Sequence, residues 1–270
     1  MEGAFLFAPH LHWDIMISPT HLMYIQCPLP YWYHPIRRNA MNIDLSTAKW
    51  LNPPELFKIS DQSVKITTDP NTDFWQRSYY GFRNDNAPAL LFESSFNFTF
   101  TVQASFEYRT RFDQCGVIIY LNSDNWFKAA IEYENDAFSR LGSVVTNHGY
   151  SDWATTDIPT TTAIWYRLSR RGPDFLIESS AEGRNFKQMR IFHLHCLGET
   201  TIIMNKLNPP APAEQSITFG LYACSPLDSS FEARFSNLKL EACRWMAHGT
   251  EWELCITINL SRMRVKSAII

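Results

Sequence analysis

The chain has 270 residues, 45% of them hydrophobic and 14% aromatic, enough apolar surface for a sizeable core, since larger domains bury most of what their unfolded chains expose. Its 24 basic and 27 acidic residues give a formal charge of −3 without long runs of either sign, so no counterion-releasing surface for nucleic acid is expected. No stretch approaches the ~18–20 apolar residues of a membrane helix, and no membrane partner is predicted.

The cysteines Cys27, Cys115, Cys196, Cys224, Cys243 and Cys255 lack the paired spacing of a zinc site and are thinly spread for a disulfide scaffold. A reduced, cytoplasmic protein is the simpler expectation. The apolar run Gly3–Pro9 is short, lacks a basic flank and is followed by His10, His12 and Asp14, which makes a poor signal peptide. Residues 1–46, rich in Pro, His, Tyr and Met near the start, show no sustained period and read as a poorly ordered or extraneous tail; Met41 opens a segment that would itself make a normal start. Residues 47–242 are predicted to form one domain, and residues 243–270 a loosely attached C-terminal tail.

Within the domain, short alternating runs are broken by Gly, Pro, Asn and Asp, the signature of an all-β sandwich or barrel. A strand is expected at Ser63–Thr68. The clearest is Phe96–Tyr108, where Phe, Val, Ala and Tyr alternate with Asn, Thr, Gln, Ser and Glu, apolar inward and polar outward. Gly116–Leu121 and Trp126–Glu134 follow as a hairpin across the turn-forming cluster Asn122–Asn125. Further strands are predicted at Leu141–Thr146, Ile164–Arg170, Asp174–Ser179, Lys187–His193, Ile217–Ala223 and Phe231–Leu240. Thr146–Trp153 reads as a polar rim loop, and Asn205–Ala213, with three prolines, as a surface loop.

The period of two places Trp126, Lys128, Ala130, Glu132 and Glu134 on one face of their strand, with Phe127, Ala129, Ile131 and Tyr133 on the core face. An aromatic plane, a cation and two carboxylates together suit a ligand with an apolar ring face and hydroxyls around it, as sugars have. Alternatively this face lies at the sheet surface, with Lys128 and Glu132 an ion pair worth under ~1 kcal/mol. Glu132 and Glu134 sit ~6.5–7 Å apart along the backbone, within reach of the ~5–5.5 Å carboxyl separation of retaining glycosidases, although two Glu on one strand face are common. In the rim loop, Ser151 and Asp152 either carry function or fold the turn while Trp153 plugs the core edge. Asp73-Phe74-Trp75 with Tyr79-Tyr80-Gly81-Phe82 forms a second aromatic cluster, of a kind that more often serves a core, and Asp113-Gln114 is a third polar site at a strand entry. His193 and His195 lie one strand repeat apart, but no third ligand is indicated and Cys196 points to the other face, so no metal site is expected. No phosphate loop, nucleophile elbow or Cys/His nucleophile pattern is present, and no cofactor is predicted.

Together, Lys49-Trp50-Leu51-Asn52-Pro53-Pro54, Asp73-Phe74-Trp75, Tyr80-Gly81-Phe82, Asp113-Gln114-Cys115-Gly116, Trp126-Phe127-Lys128 with Glu132, and Ser143–Asn147 leading to Ser151-Asp152-Trp153 resemble the domain-of-unknown-function 1349 family, which includes the fungal regulation-of-enolase protein. Tyr166-Arg167, Gly183, Cys224-Ser225-Pro226 and the closing strand continue the resemblance, which spans about residues 47–242; Cys115 departs from the small or apolar residue expected there. The resemblance implies a concanavalin A-like lectin/glucanase jelly roll, two curved antiparallel sheets of which one is concave. In related superfamilies that groove binds glycans and in some hydrolyses them; fold alone does not choose. By position, Trp75, Asp113, Lys128, Glu132, Ser151, Asp152 and Trp153 become groove candidates beside Trp126. Three functions are therefore expected in order: a non-catalytic cytoplasmic module binding a carbohydrate-like ligand, with a regulatory link to carbohydrate metabolism; a glycoside hydrolase using Glu132 with Glu134 or Asp152; and a module that binds a metabolic enzyme.

Overall fold

The computed structural model describes residues 41–200 and 215–246; residues 1–40 of the tail expected over 1–46, most of the C-terminal tail and the loop at 205–213 lie outside them. The strands in chain order are β1 (Met41–Asn42), β2 (Lys49–Leu51), β3 (Leu56–Ser60), β4 (Ser63–Thr67), β5 (Phe74–Gln76), β6 (Arg83–Asp85), β7 (Ala89–Ser94), β8 (Phe98–Phe106) and β9 (Gln114–Asn122). They continue with β10 (Asn125–Tyr133), β11 (Phe138–Asn147), β12 (Tyr150–Pro159), β13 (Ala163–Arg171), β14 (Asp174–Ser180), β15 (Lys187–His193), β16 (Ile217–Cys224) and β17 (Glu232–Ala242).

Two antiparallel sheets result, with orders β15-β14-β13-β8-β17-β4-β3, where β1 also pairs with β17, and β12-β11-β10-β9-β16-β7-β2. The architecture is a jelly-roll β-sandwich. A two-stranded ribbon, β5-β6, belongs to neither sheet. The apolar phase of each strand decides which side it buries: Phe98, Phe100, Val102, Ala104 and Phe106 of β8 share one core with Val117 and Ile119 of β9 and Phe127, Ala129 and Ile131 of β10. The sheets are stitched together by Phe127 of one stacking on Phe192 of the other, ring centroids 3.9 Å apart.

Three differences from the sequence expectation have physical reasons. β1 lies inside the segment read as a tail, held by the pairs Met41↔Leu240 and Asn42↔Lys239; a two-residue strand is too short to show a period. The stretch read as a rim loop is a hairpin: β11 and β12 are joined by His148 and Gly149, both left-handed at φ 51° and 75°, the backbone that a two-residue hairpin turn demands. β12 is an edge strand and mostly exposed, so no apolar alternation marks it. Finally, the outer face of the second sheet carries an apolar cluster of its own, in which Phe74 of the ribbon packs with Ile118, Trp126, Val144 and Tyr222.

Candidate functional site

Antiparallel register sets out the outer face of β10, β11 and β12 in rows: Trp126, Thr146 and Ser151; then Lys128, Val144 and Trp153; then Ala130, Gly142 and Thr155; then Glu132, Arg140 and Asp157. On β10 and β11 the third row holds almost no side-chain volume, only the methyl of Ala130 beside Gly142. A Cβ on Gly142 would come within 2.8 Å of the Trp153 indole nitrogen, so the glycine is what lets that ring lean across the strand. A cavity of about 410 Å³ opens over this row. Trp153 and Arg140 border it on one side, the ribbon residues Trp75, Tyr80 and Phe82 also line it, and Lys128, Asp73, Glu132 and Gln114 supply its charge and polarity.

Lys128 is buried and its Nζ lies 2.8 Å from Asp73 Oδ1, while the ring of Tyr222 sits 5.8 Å away. Burial works against its charge, but the neighbouring Asp73 carboxylate and further negative groups outweigh it and raise the Lys128 pKa. The pair expected between Lys128 and Glu132 is therefore replaced by one that reaches across the fold to the ribbon. Glu132 accepts a hydrogen bond from Gln114 Nε2 (3.2 Å), and Gln114 Oε1 in turn accepts one from the buried Tyr222 hydroxyl (3.0 Å). Burial pushes the Glu132 carboxyl up to about 7, with Lys128 and Arg140 acting in the opposite direction and Asp73 and Glu134 reinforcing it. Arg140 is shared: its guanidinium lies 5.6 Å from the Trp153 ring and 3.3 Å from Glu134.

Of the residues singled out in the sequence, Trp75, Lys128, Glu132 and Trp153 line the cavity. The others sit elsewhere. Trp126 is on the expected face but fully buried, covered by Phe74 at a centroid distance of 5.7 Å, so it has no free plane for a ligand. Asp113 is buried and holds the turn before β9, accepting from the Arg109 and Thr110 amides (3.1 and 2.9 Å) and the Ser229 hydroxyl (2.7 Å). Ser151 bonds Thr146 (2.8 Å) and accepts from the Gln76 amide (2.9 Å), fastening the ribbon to β12. Asp152 points to the other side, with its side chain 74% exposed and ion-paired to Arg190. Glu134 is held by Arg111 at 2.5 Å and by Arg140. Neither Asp152 nor Glu134 lines the cavity, so the carboxylate pairs expected for hydrolysis do not assemble there. His193 Nδ1 lies 2.8 Å from Asp174, and among the described residues no group of three metal-ligating side chains comes together.

Sequence reasoning met Asp73, Tyr80 and Phe82 only within an aromatic cluster assigned to the core and Gln114 only within a polar strand entry, and it passed over Arg140 and Gly142. Asp73 had a signal, since it shares the strand phase of Trp75 two residues on; Arg140 and Gly142 are legible only once the register against β10 is known.

The family model described as a protein of unknown function, DUF1349, matches residues 50–243. The chain belongs to that family. This DUF1349 member is 29% identical over 204 residues to Regulation of enolase protein 1 from Saccharomyces cerevisiae (strain ATCC 204508 / S288c), a match covering 75% of this chain and 93% of the relative. Among solved structures, a functionally unknown protein from Saccharomyces cerevisiae superposes with a TM-score of 0.63 at 28% identity, covering 74% of this chain and 98% of that one. The GH43 protein BlXynB from Bacillus licheniformis shares the fold at a TM-score of 0.54 and 12% identity, over 75% of this chain and 38% of that chain. The family and the jelly roll expected from the motifs are thus both met.

Proposed function

We propose that this DUF1349 member is a non-catalytic, cytoplasmic binding and regulatory module that holds a carbohydrate-like ligand in the cavity over β10–β12 and links it to the control of carbohydrate metabolism. The observation that carries the reading is the composition of that cavity. Aromatic rings of Trp153, Trp75 and Tyr80 and polar groups of Lys128, Asp73, Glu132 and Gln114 line one cavity of about 410 Å³, a size typical of small-ligand clefts. A sugar offers an apolar face of C–H groups to an aromatic plane and hydroxyls to the surrounding donors and acceptors. Trp153 is 37% exposed, which leaves ring surface for such stacking. The regulatory part of the proposal draws support from the name of the yeast relative.

The test is calorimetric titration of the wild type and Trp153→Ala with a panel of disaccharides that includes cellobiose, xylobiose, maltose and the glucosamine dimer. At least one should bind, and loss of the stacking surface should weaken it by about tenfold or more, a change of ~1.4 kcal/mol. Absence of binding to the whole panel by folded wild-type protein, or an affinity untouched by Trp153→Ala, would overturn the proposal.

A further inference from the structure

We infer that the cavity selects a ligand bearing an ammonium group, an amino sugar in place of a neutral one, and that Glu132 is the carboxylate that receives it. This rests on the carbohydrate reading above and narrows it. Three features of the charge arrangement lead there. First, Asp73, the other acid that lines the cavity, is already matched by Lys128 at 2.8 Å, and Glu134, next to Glu132 on the same strand face, by Arg111 at 2.5 Å and Arg140 at 3.3 Å. Second, Glu132 has no ion-pair partner within 4 Å among the described residues; its hydrogen bond is the neutral one that Gln114 donates to Oε2, so Oε1 is available to a ligand. Lys128 and Arg140 act on it only at longer range. Third, Trp75, Tyr80, Phe82 and Trp153 line the same cavity, and the electron-rich faces of aromatic rings attract cations.

A largely desolvated carboxylate without an ionic partner is unfavourable, and a cation placed beside it removes part of that cost. A hydroxyl at the same position offers one hydrogen bond and no charge. The upward shift that burial imposes on Glu132 is the mark of this missing partner. An amino sugar supplies in one molecule the ring for Trp153 and the cation for Glu132.

The experiment compares the β-1,4-linked glucosamine dimer with cellobiose, which carries hydroxyls where the dimer carries ammonium groups, by calorimetry at pH 7.0 on wild type and Glu132→Gln. Wild type should prefer the glucosamine dimer by about tenfold or more, and Glu132→Gln, which keeps the shape and removes the charge, should bring the two sugars to within about threefold. Equal affinities in the wild type, or a preference that survives in folded Glu132→Gln, would overturn the inference while leaving the carbohydrate reading intact. Binding of neither dimer, alongside binding of another panel sugar, would have the same effect. Silence across the whole panel would remove both.

Discussion

Glu132 is costly to the fold as well as useful to the cavity. Its folded-state pKa lies near 7 against ~4.3 for an unperturbed glutamate. The folded protein therefore holds the proton more tightly than the unfolded chain between those values. Where the native state binds more protons, stability falls as pH rises. The contribution is most favourable below about pH 4.3, declines through the window up to about 7, and is flat above it. At ~1.4 kcal/mol per unit of pKa, reduced because the side chain retains some contact with water, the loss is about 1–3 kcal/mol. Glu132→Gln has no charge to bury, so urea denaturation should show the variant gaining about 1–3 kcal/mol relative to wild type on going from pH 4.5 to pH 8. Parallel pH profiles for the two proteins would contradict this. A residue whose removal stabilises the fold while costing ligand selectivity is the common trade between stability and activity.

At the scale of the element, the β5-β6 ribbon is short and its turn is strained. Arg77, Tyr79 and Gly81 all take left-handed backbone, at φ 55°, 61° and 77°, and two of the three are residues that pay ~1–2 kcal/mol for it. What holds the turn is a set of bonds, those of Arg77 reaching the rest of the fold and the others made within the ribbon. Arg77 Nη1 donates to the Gly149 carbonyl (2.6 Å) and reaches Asp124 (3.4 Å), Trp75 Nε1 donates to the Ser78 carbonyl (3.0 Å), and Arg83 donates to Gln76 (3.1 Å). Arg77→Ala keeps the strain and deletes the anchor, so it should cost about 1–3 kcal/mol. Arg77→Gly deletes the same anchor but relieves the backbone, and should be the milder change by about 1 kcal/mol. Chemical denaturation of the two variants decides this, and a glycine variant no better than alanine would show that the strain is not felt.

This ribbon is also where the sequence was least informative. Its strands have three residues each, too few for a period, so Asp73-Phe74-Trp75 and Tyr79–Phe82 could be read only as an aromatic cluster. The nine-residue alternation in β8 shows the opposite case, in which periodicity alone assigns the buried face. For β10 the period correctly separated Phe127, Ala129 and Ile131 from Trp126, Lys128 and Glu132, but a period says which face a side chain takes and not what covers that face. Trp126 was therefore read as a stacking surface when Phe74 seals it, and Lys128 was matched to a neighbour on its own strand when its partner, Asp73, arrives from a distant part of the chain.

Across the whole molecule, the sandwich was legible because its core is a simple consequence of alternating strands, whereas the candidate site depends on a third layer that no local pattern announces. That layer has a consequence for dynamics. Phe74 roots the ribbon in apolar packing against Trp126 and Tyr222, and Ser151 accepts the Gln76 amide. A wall built only of exposed loop would open by fraying, with its amides exchanging freely with solvent deuterium. Here the Gln76 amide should exchange far more slowly than those of the edge strand β12, at a rate close to that of the central strand β10, and Phe74→Ala should release it selectively. A fast-exchanging Gln76 in the wild type would contradict that. The cavity is in this sense a rigid receptor whose wall melts with the sandwich, so that its ligand would meet a preformed shape and lose little affinity to the ordering of the protein.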